Sequence, residues 1–507
     1  MKNQLRSGVI LSYINLAISS LIPFFYTPIM LGMLGQAEYG LYSLANSVVG
    51  YLSLLNFGFG STIVRYLAKY RAEQNAVEME KTYGFFLTLY GVLGAVVLAA
   101  GLILSRNVEG LFDRGLTPEE IEKTGMLVIL MTVNVAISFP LSVFSSVAIA
   151  YERYFFRKIM DIVATVAAPV ANLVALYLGY GSVGMTLAAT AVQCLMAPVS
   201  IFYCFKVLKV KPRFSRMRKG LLREMVGFSL FIFLGSIVDM LFWATDKVIL
   251  GMLAGSVAVA VYNVGGTFNN IVMSLSTSIS GVLVPKITGM VVTETPKEEW
   301  TDLFIRVGRL QFLVIALIVT GFSVFGQAFI SLWAGAEYAD AFWVAVLTLF
   351  PLCIPLIQNT GLSIVVAQNK HQFRSVVYLV IAVANVVSTY LVVPAMGILG
   401  AALCSCISYL LGQGLIMNIY YYKVTGLNIP LFWKNILKMA VVPGLMLAAG
   451  LLLKRIVPMD NWIVFFGGVV VYSCVYAMLM YLLAMNDYEK DIIRKPLGKI
   501  IARLRRR

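Results

Sequence analysis

Charged residues punctuate this chain at intervals of roughly one membrane crossing, and what lies between them is apolar. A helix needs about 20 mostly apolar residues to cross a hydrocarbon layer about 30 Å thick. Uncharged runs that each hold one crossing occupy residues 7–37, 39–64, 82–105, 124–151, 248–285, 311–336, 341–369 and 461–486. Two longer runs, 162–205 and 375–422, would each extend well beyond about 60 Å as a single helix, so each turns back on itself and holds two spans. The turns are legible at Gly179-Tyr180-Gly181-Ser182 and at Pro394 with Gly397. Residues 225–250, interrupted by Asp239 and Asp246, and the short stretch 439–453 bring the expected number of spans to about fourteen.

Composition agrees with this pattern. Apolar residues make up 60% of the 507 and charged ones only 13%, against about 25% in a soluble domain, which excludes a soluble globular protein. The net charge of +16 raises the question of nucleic acid. A nucleic-acid binder carries its basic residues on a water-facing surface, whereas here they interrupt apolar runs, so no nucleic-acid partner is expected. With the N-terminus inside, the inner segments 1–6, 65–82, 151–158, 206–224, 286–309, 367–374, 421–438 and 485–507 hold 34 of the 40 Lys and Arg residues. That split is the positive-inside rule, and it predicts cytoplasmic N- and C-termini. No secretory signal peptide is read at the start, where the first apolar stretch is too long and is itself the first span. His371 is the only histidine, which removes multi-histidine metal sites, and no metal or cofactor is expected. The six cysteines lie within or at the ends of spans and suggest no extracellular disulfide framework.

The chain also repeats itself. Leu31-Gly32-Met33-Leu34 recurs as Leu250-Gly251-Met252-Leu253, Arg153 and Arg157 recur as Lys370 and Arg374, and Gly181 and Gly184 as Gly397 and Gly400. Six spans per repeat leave both copies in the same orientation, the parallel type of internal duplication. The expected organisation is an N-terminal lobe (1–205, spans 1–6), a basic cytoplasmic linker (206–224), a C-terminal lobe (225–422, spans 7–12), two further spans (423–486) and a basic amphipathic tail (487–507) lying on the anionic inner leaflet. Loops are short throughout, leaving no separate soluble domain.

The stretch Gly35-Gln36-Ala37-Glu38-Tyr39-Gly40-Leu41-Tyr42-Ser43-Leu44, then Leu54-Leu55-Asn56-Phe57-Gly58-Phe59-Gly60 and Arg65-Tyr66, resembles the first hairpin of bacterial polysaccharide transporters. These are the O-antigen and exopolysaccharide flippases of the multidrug/oligosaccharidyl-lipid/polysaccharide exporter superfamily. Ala150-Tyr151-Glu152-Arg153-Tyr154 and Ala367-Gln368-Asn369-Lys370 carry the same likeness. The resemblance implies an all-α polytopic membrane protein with two six-helix lobes around a central cavity. It also implies flipping of an undecaprenyl-diphosphate-linked oligosaccharide from the inner to the outer leaflet of the bacterial plasma membrane. The lipid-linked oligosaccharide and the bilayer are then its partners, and polysaccharide polymerase machinery is a further partner left open. A multidrug antiporter or lipid II flippase of the same superfamily is the alternative. A membrane glycan polymerase or ligase is disfavoured because no loop is large enough to carry its catalytic residues.

An intramembrane carboxylate is costly and marks a pathway by default. Asp239 and Asp246, seven residues apart on one expected face together with Ser236 and Trp243, are candidates to line the cavity or to couple transport to Na+ or H+. The competing reading is a structural pair. Ser12, Asn15, Ser19 and Tyr26 form a polar stripe on span 1, near Pro23, facing either the sugar or neighbouring helices. Arg65 and Lys286 at inner span ends suit a diphosphate, and Arg153, Arg157, Lys370 and Arg374 a symmetric inner gate. Snorkelling and the positive-inside rule give the plainer and favoured account of all six. Lys247 is an outer-rim ion-pair partner of Asp246 or a sugar contact. Trp333, Tyr338, Trp433 and Trp462 are expected in interfacial belts.

Overall fold

A computed structural model describes residues 2–215, 219–281, 283–293, 295–368, 370–457, 459, 461–492, 494 and 495. Among them every regular element is helical. The first, α1 (Lys2–Ser53), keeps helical dihedrals through Pro23 and Pro28 and departs from them only at Gly35, at φ 73° and ψ 170°, a conformation that a Cβ disfavours. After the turn Leu54–Asn56, the Asn56 Oδ1 accepts the Gly58 N–H at 2.6 Å and α2 (Phe59–Ala72) begins. Then follow α3 (Ala76–Arg106), the short α4 (Val108–Phe112), α5 (Pro118–Ala150), α6 (Tyr154–Tyr177) and α7 (Gly181–Phe202). A capping box of Thr117 and Glu120 starts α5.

The second half opens with α8 (Lys219–Trp243), interrupted at Ala244 before α9 (Thr245–Leu253). Next come α10 (Ser256–Gly281), α11 (Val284–Val292), α12 (Lys297–Trp333), α13 (Ala341–Ile357) and α14 (Asn359–Ala367). Helix α15 (His371–Tyr409) breaks at Gly397 (φ 55°, ψ −134°) and runs on through a wider turn into α16 (Met417–Tyr420). Helices α17 (Ile429–Lys454) and α18 (Trp462–Leu479) end the fold.

Nine helices among the described residues are long and apolar enough to cross a membrane, or eleven if two bent pairs, α10 with α11 and α13 with α14, each make one span. This criterion does not reach the fourteen expected from sequence. Two of its helices, Ala17–Ala72 and Gln372–Thr425, are longer than one crossing and contain the Gly35 and Gly397 breaks. The turn glycines read from sequence do adopt positive φ, 81° at Gly179, 56° at Gly181 and 55° at Gly397.

By packing, the chain gathers into two compact units, Met1–Asn263 with Val386–Ala401, and Val264–Asn385 with Ala402–Arg507. These units cut the chain elsewhere than the lobes expected from the repeat. In the first unit, Ile63, Tyr83, Phe86, Tyr90, Phe139 and Val143 of α2, α3 and α5 form an apolar core. In the second, Phe325, Met439, Phe465, Tyr472 and Tyr476 join α12, α17 and α18. Trp333 and Tyr338, expected in an interfacial belt, are buried, with Trp333 stacked on Phe329. The amphipathic tail expected over 487–507 lies outside the described residues beyond Lys495.

The duplication is visible in three dimensions at a constant offset of 217 residues. Ile159, Val163, Val166, Val170 and Val174 form an exposed stripe along α6, and Val376, Val380, Val383, Val387 and Leu391 form the same stripe along α15. An apolar face left open at helical spacing suits lipid contact. Phe156 stacks on Tyr203 at 3.7 Å between centroids, and Phe373 stacks on Tyr420 at 4.4 Å. The Val210 N–H reaches the Cys204 carbonyl at 3.2 Å, as Leu427 N–H reaches the Tyr421 carbonyl at 3.1 Å. Lys209 and Gly426, also 217 apart, both take positive φ, 55° and 79°.

One ion pair ties the chain beyond α18 to α12. Arg309 grips Glu489 through two bonds of 2.6 and 2.9 Å and donates to the Ala484 carbonyl at 3.0 Å, with side chains only 7% and 1% exposed. Removing one partner of a buried pair leaves an uncompensated charge, at a cost of about 3–5 kcal/mol. Arg309→Met is expected to lower stability by that amount and Arg309→Met with Glu489→Gln to regain most of it, read as thermal melting of the detergent-solubilised protein. Identical melting of Arg309→Met and wild type would contradict the assignment.

Candidate functional site

The interruption at Ala244 creates a fresh helix N-terminus inside an apolar segment, and Asp246 stands in its first turn, where a carboxylate meets the positive end of the helix dipole. The side chain is 1% exposed. Its Oδ2 accepts the Tyr262 hydroxyl at 2.5 Å and its Oδ1 the Thr389 hydroxyl at 3.3 Å. Next to it, Lys247 Nζ donates to Asn263 Oδ1 at 3.1 Å, and Asn263 Nδ2 donates to Tyr39 Oη at 2.6 Å and Ser43 Oγ at 3.1 Å. Tyr51 and Thr245 pair their hydroxyls. The result is a polar seam joining α1 beyond Gly35, α9, α10 and α15, with every link inside the first packing unit. Buried charges need this kind of hydrogen-bonded company.

The same elements pack with little space for side chains. Residues of α1, α2 and the turn between them pair in reverse order with α8 and α9: Thr62 bonds Ser229 at 2.6 Å, Phe57 lies 5.0 Å from Phe233, and Gly251 sits under Leu44. At the end that carries Gly35, expected to be outer, a Cβ on Gly40 would overlap the Ser256 backbone and one on Gly115 the Gly251 carbonyl. Ser256 Oγ also donates to Glu120 at 2.5 Å. Nearby, Glu38 accepts the Ser182 N–H at 2.6 Å and pairs with Lys123 at 2.9 Å. Glu38 lies between the first two expected spans. Burial pushes its carboxyl up, but the Ser182 N–H and Lys123 outweigh burial and hold it below the ordinary carboxylate range. The stabilisation is therefore present above the unfolded carboxylate's pKa and lost as pH falls through the lower folded value.

The remaining sequence-derived candidates divide by surroundings. Asp239 is exposed while Asp246 is buried, and the interruption at Ala244 falls between them. Trp243 is half-buried. On α1, Ser12 and Asn15 are half-buried and Ser19 is exposed, while Tyr26 accepts a bond of 3.2 Å from Asn172 of α6. Arg65 and Lys286 are exposed. Arg153 is half-buried. Arg157 is engaged by Asp161 at 2.9 Å and Ser145 at 2.5 Å. Lys370 donates to the Val424 carbonyl at 3.0 Å, and Arg374 lies over the Tyr378 ring at 4.5 Å. Arg157, Lys370 and Arg374 are thus each engaged by a group nearby. Sequence reasoning missed Tyr262, Thr389, Asn263, Tyr39 and Ser43; the available signal was polar residues at i and i+4, Tyr39 and Ser43, within an apolar run.

The model of the polysaccharide biosynthesis protein family matches residues 5–291, more than half of the chain. The chain belongs to that family. The match takes in the whole seam of this polysaccharide biosynthesis protein except Thr389. A curated relative, the uncharacterized membrane protein EpsK of Bacillus subtilis (strain 168), is 23% identical over 488 residues, covering 93% of this chain and 94% of its own. Among solved structures, a lipid II flippase MurJ in an inward closed conformation matches with a TM-score of 0.75 at 15% identity, covering 96% of this chain and 99% of that one. An inward-facing multidrug resistance MATE family transporter of the MOP superfamily matches at 0.62 and 15% identity, covering 83% and 99%. The family member therefore has the fold of these transporters and is a multi-pass membrane protein, as the first hairpin suggested.

The glycine contacts give a direct test. Gly115→Val places side-chain atoms where the Gly251 carbonyl now lies, so the Gly35 end is expected to be held apart. A cysteine introduced at Ser256 should then react several-fold faster with a membrane-impermeant maleimide than in the Gly115 background. An unchanged rate would show that this approach does not close that end.

Proposed function

We propose that this protein is a flippase for cell-surface polysaccharide biosynthesis, moving an undecaprenyl-diphosphate-linked oligosaccharide from the inner to the outer leaflet of a bacterial plasma membrane by alternating access. Membership of the polysaccharide biosynthesis family is the observation that carries this reading. The exporter-like fold and the side-chain-poor closure at Gly40 and Gly115 support it. A sugar diphosphate cannot enter hydrocarbon without losing its hydration, so the protein offers a polar path while the prenyl tail stays in lipid. Taking Gly35 and Gly397 as outer turns and α8 with α9 as an interrupted span gives fourteen crossings with both termini cytoplasmic, in keeping with the basic inner segments.

In this reading the chain transports rather than catalyses. Arg65 and Lys286 are the exposed cations that meet the diphosphate. Asp239, exposed on α8, and Ser12 and Ser19 of α1 contact the sugar, and the Asp246 seam links opening of one end to closure of the other. An Na+ or H+ gradient drives the cycle, and polymerase machinery at the outer leaflet receives the glycan. A wild-type gene should restore surface polysaccharide to a host lacking this protein, whereas Asp246→Ala should lower it at least about tenfold at equal membrane abundance and leave lipid-linked glycan on the inner leaflet. Normal surface glycan in the deletion host would remove the function from this protein.

A further inference from the structure

The span formed by α13 and α14 is broken in its interior. Its helices meet at 47° around Gln358, which has φ −106° and ψ 9°. Here the Gln358 N–H turns to the Pro355 carbonyl at 3.2 Å and the Gly361 N–H to the Gln358 carbonyl at 2.8 Å. The carbonyls of Ile354 and Ile357 thereby lose the donors four residues on that a continuous helix would supply. In hydrocarbon such groups must be satisfied by protein, water or an ion.

Neighbouring side chains gather at this break. Ser276 of α10 donates to the Leu356 carbonyl at 2.8 Å and accepts Asn359 Nδ2 at 2.8 Å. Gln311 of α12 is fully buried, and its Nε2 donates to both the carbonyl and the Oγ of Ser276 at 3.1 Å. Those bonds fix which end of the amide is which. The Gln311 Oε1 is left buried and without a hydrogen-bond partner among the described residues. One turn earlier on α12, Gly308 lies so near the break that a Cβ there would be 2.9 Å from the Ile357 carbonyl. Thr360, in the first turn of α14, is also fully buried, and its Oγ1 has no partner among the described residues. The Leu356 carbonyl, to which a helical threonine at 360 would ordinarily bond, is occupied by Ser276.

We propose that the break at Gln358 binds a sodium ion through Gln311 Oε1, Thr360 Oγ1 and the Ile357 carbonyl. The chemistry of the donors selects the ligand. All are neutral oxygens, so the site has no group to titrate and cannot hold a proton. The absence of carboxylate among them disfavours a divalent ion, whereas carbonyls at half-helix ends and hydroxyls suit Na+. The ion would seal the break and fix α14 against α12. Its binding stands apart from the transport reading, while a role as the driving ion rests on that reading.

The test is thermal melting of the full-length protein in detergent, in sodium chloride against choline chloride and potassium chloride at equal ionic strength. Wild type is expected to melt higher in sodium, with a shift that grows with sodium concentration as mass action requires. Thr360→Val removes only a hydroxyl that bonds nothing among the described residues, so its melting in choline should match wild type while its sodium affinity falls about tenfold or more. Gln311→Leu should also abolish the shift. A sodium shift that persists in Thr360→Val overturns the assignment, as does its loss in Asp246→Asn with retention in Thr360→Val, which moves the ion to the carboxylate. No sodium-specific shift in wild type means that water fills the break and also overturns it. Because none of these measurements involves transport, their failure is distinguishable from failure of the flippase reading.

Discussion

A backbone polar group released inside hydrocarbon costs several kcal/mol, and this constraint organises the molecule. The chain is apolar enough to be almost entirely helical, yet its helices are interrupted at Gly35, Leu54–Gly58, Ala244, Gln358 and Gly397. Polar side chains collect at several of these points. Asn56 covers the turn before α2, Asp246 stands in the first turn after Ala244, and Ser276 and Asn359 serve the break at Gln358. At these points polar side chains thus stand where the helix ladder fails.

The two copies of the repeat show which features are architectural. The exposed stripes of α6 and α15, the two aromatic stacks and the paired positive-φ residues Lys209 and Gly426 recur in register, as expected of scaffold. The break at Gln358 does not recur. Its counterpart 217 residues earlier is Leu141, and α5 runs through that point without interruption despite Pro140. The second copy carries two prolines, Pro351 and Pro355, just before the break where the first has Pro140 alone, so the released backbone groups at Gln358 belong to the second copy only.

Much of this was legible in the chain. Uncharged runs located the spans because hydrocarbon excludes charge, Gly181 and Gly397 marked turns because their φ is positive, and residues 35–60 carried the family resemblance. The interruption at Ala244, which falls between exposed Asp239 and buried Asp246, was not legible, since neither glycine nor proline stands there. The partners of Asp246 were equally hidden. Tyr262 and Thr389 come from helices 16 and 143 residues away, and only packing brings them together. Side-chain type identified Arg157 and Lys370 as cations, but not that Asp161 and the Val424 carbonyl engage them.

The central claim is movement of a lipid-linked glycan between leaflets, and the most direct measurement is leaflet exchange in vesicles reconstituted with the purified full-length protein. A fluorescent prenyl-diphosphate oligosaccharide is placed in both leaflets and its outer-leaflet fraction is quenched by a membrane-impermeant reagent. The account predicts that quenching passes beyond the initial outer fraction in vesicles containing the wild-type protein and stops there in protein-free vesicles. Quenching that stops at the outer fraction with the folded wild-type protein present, with and without an ion gradient, would contradict it.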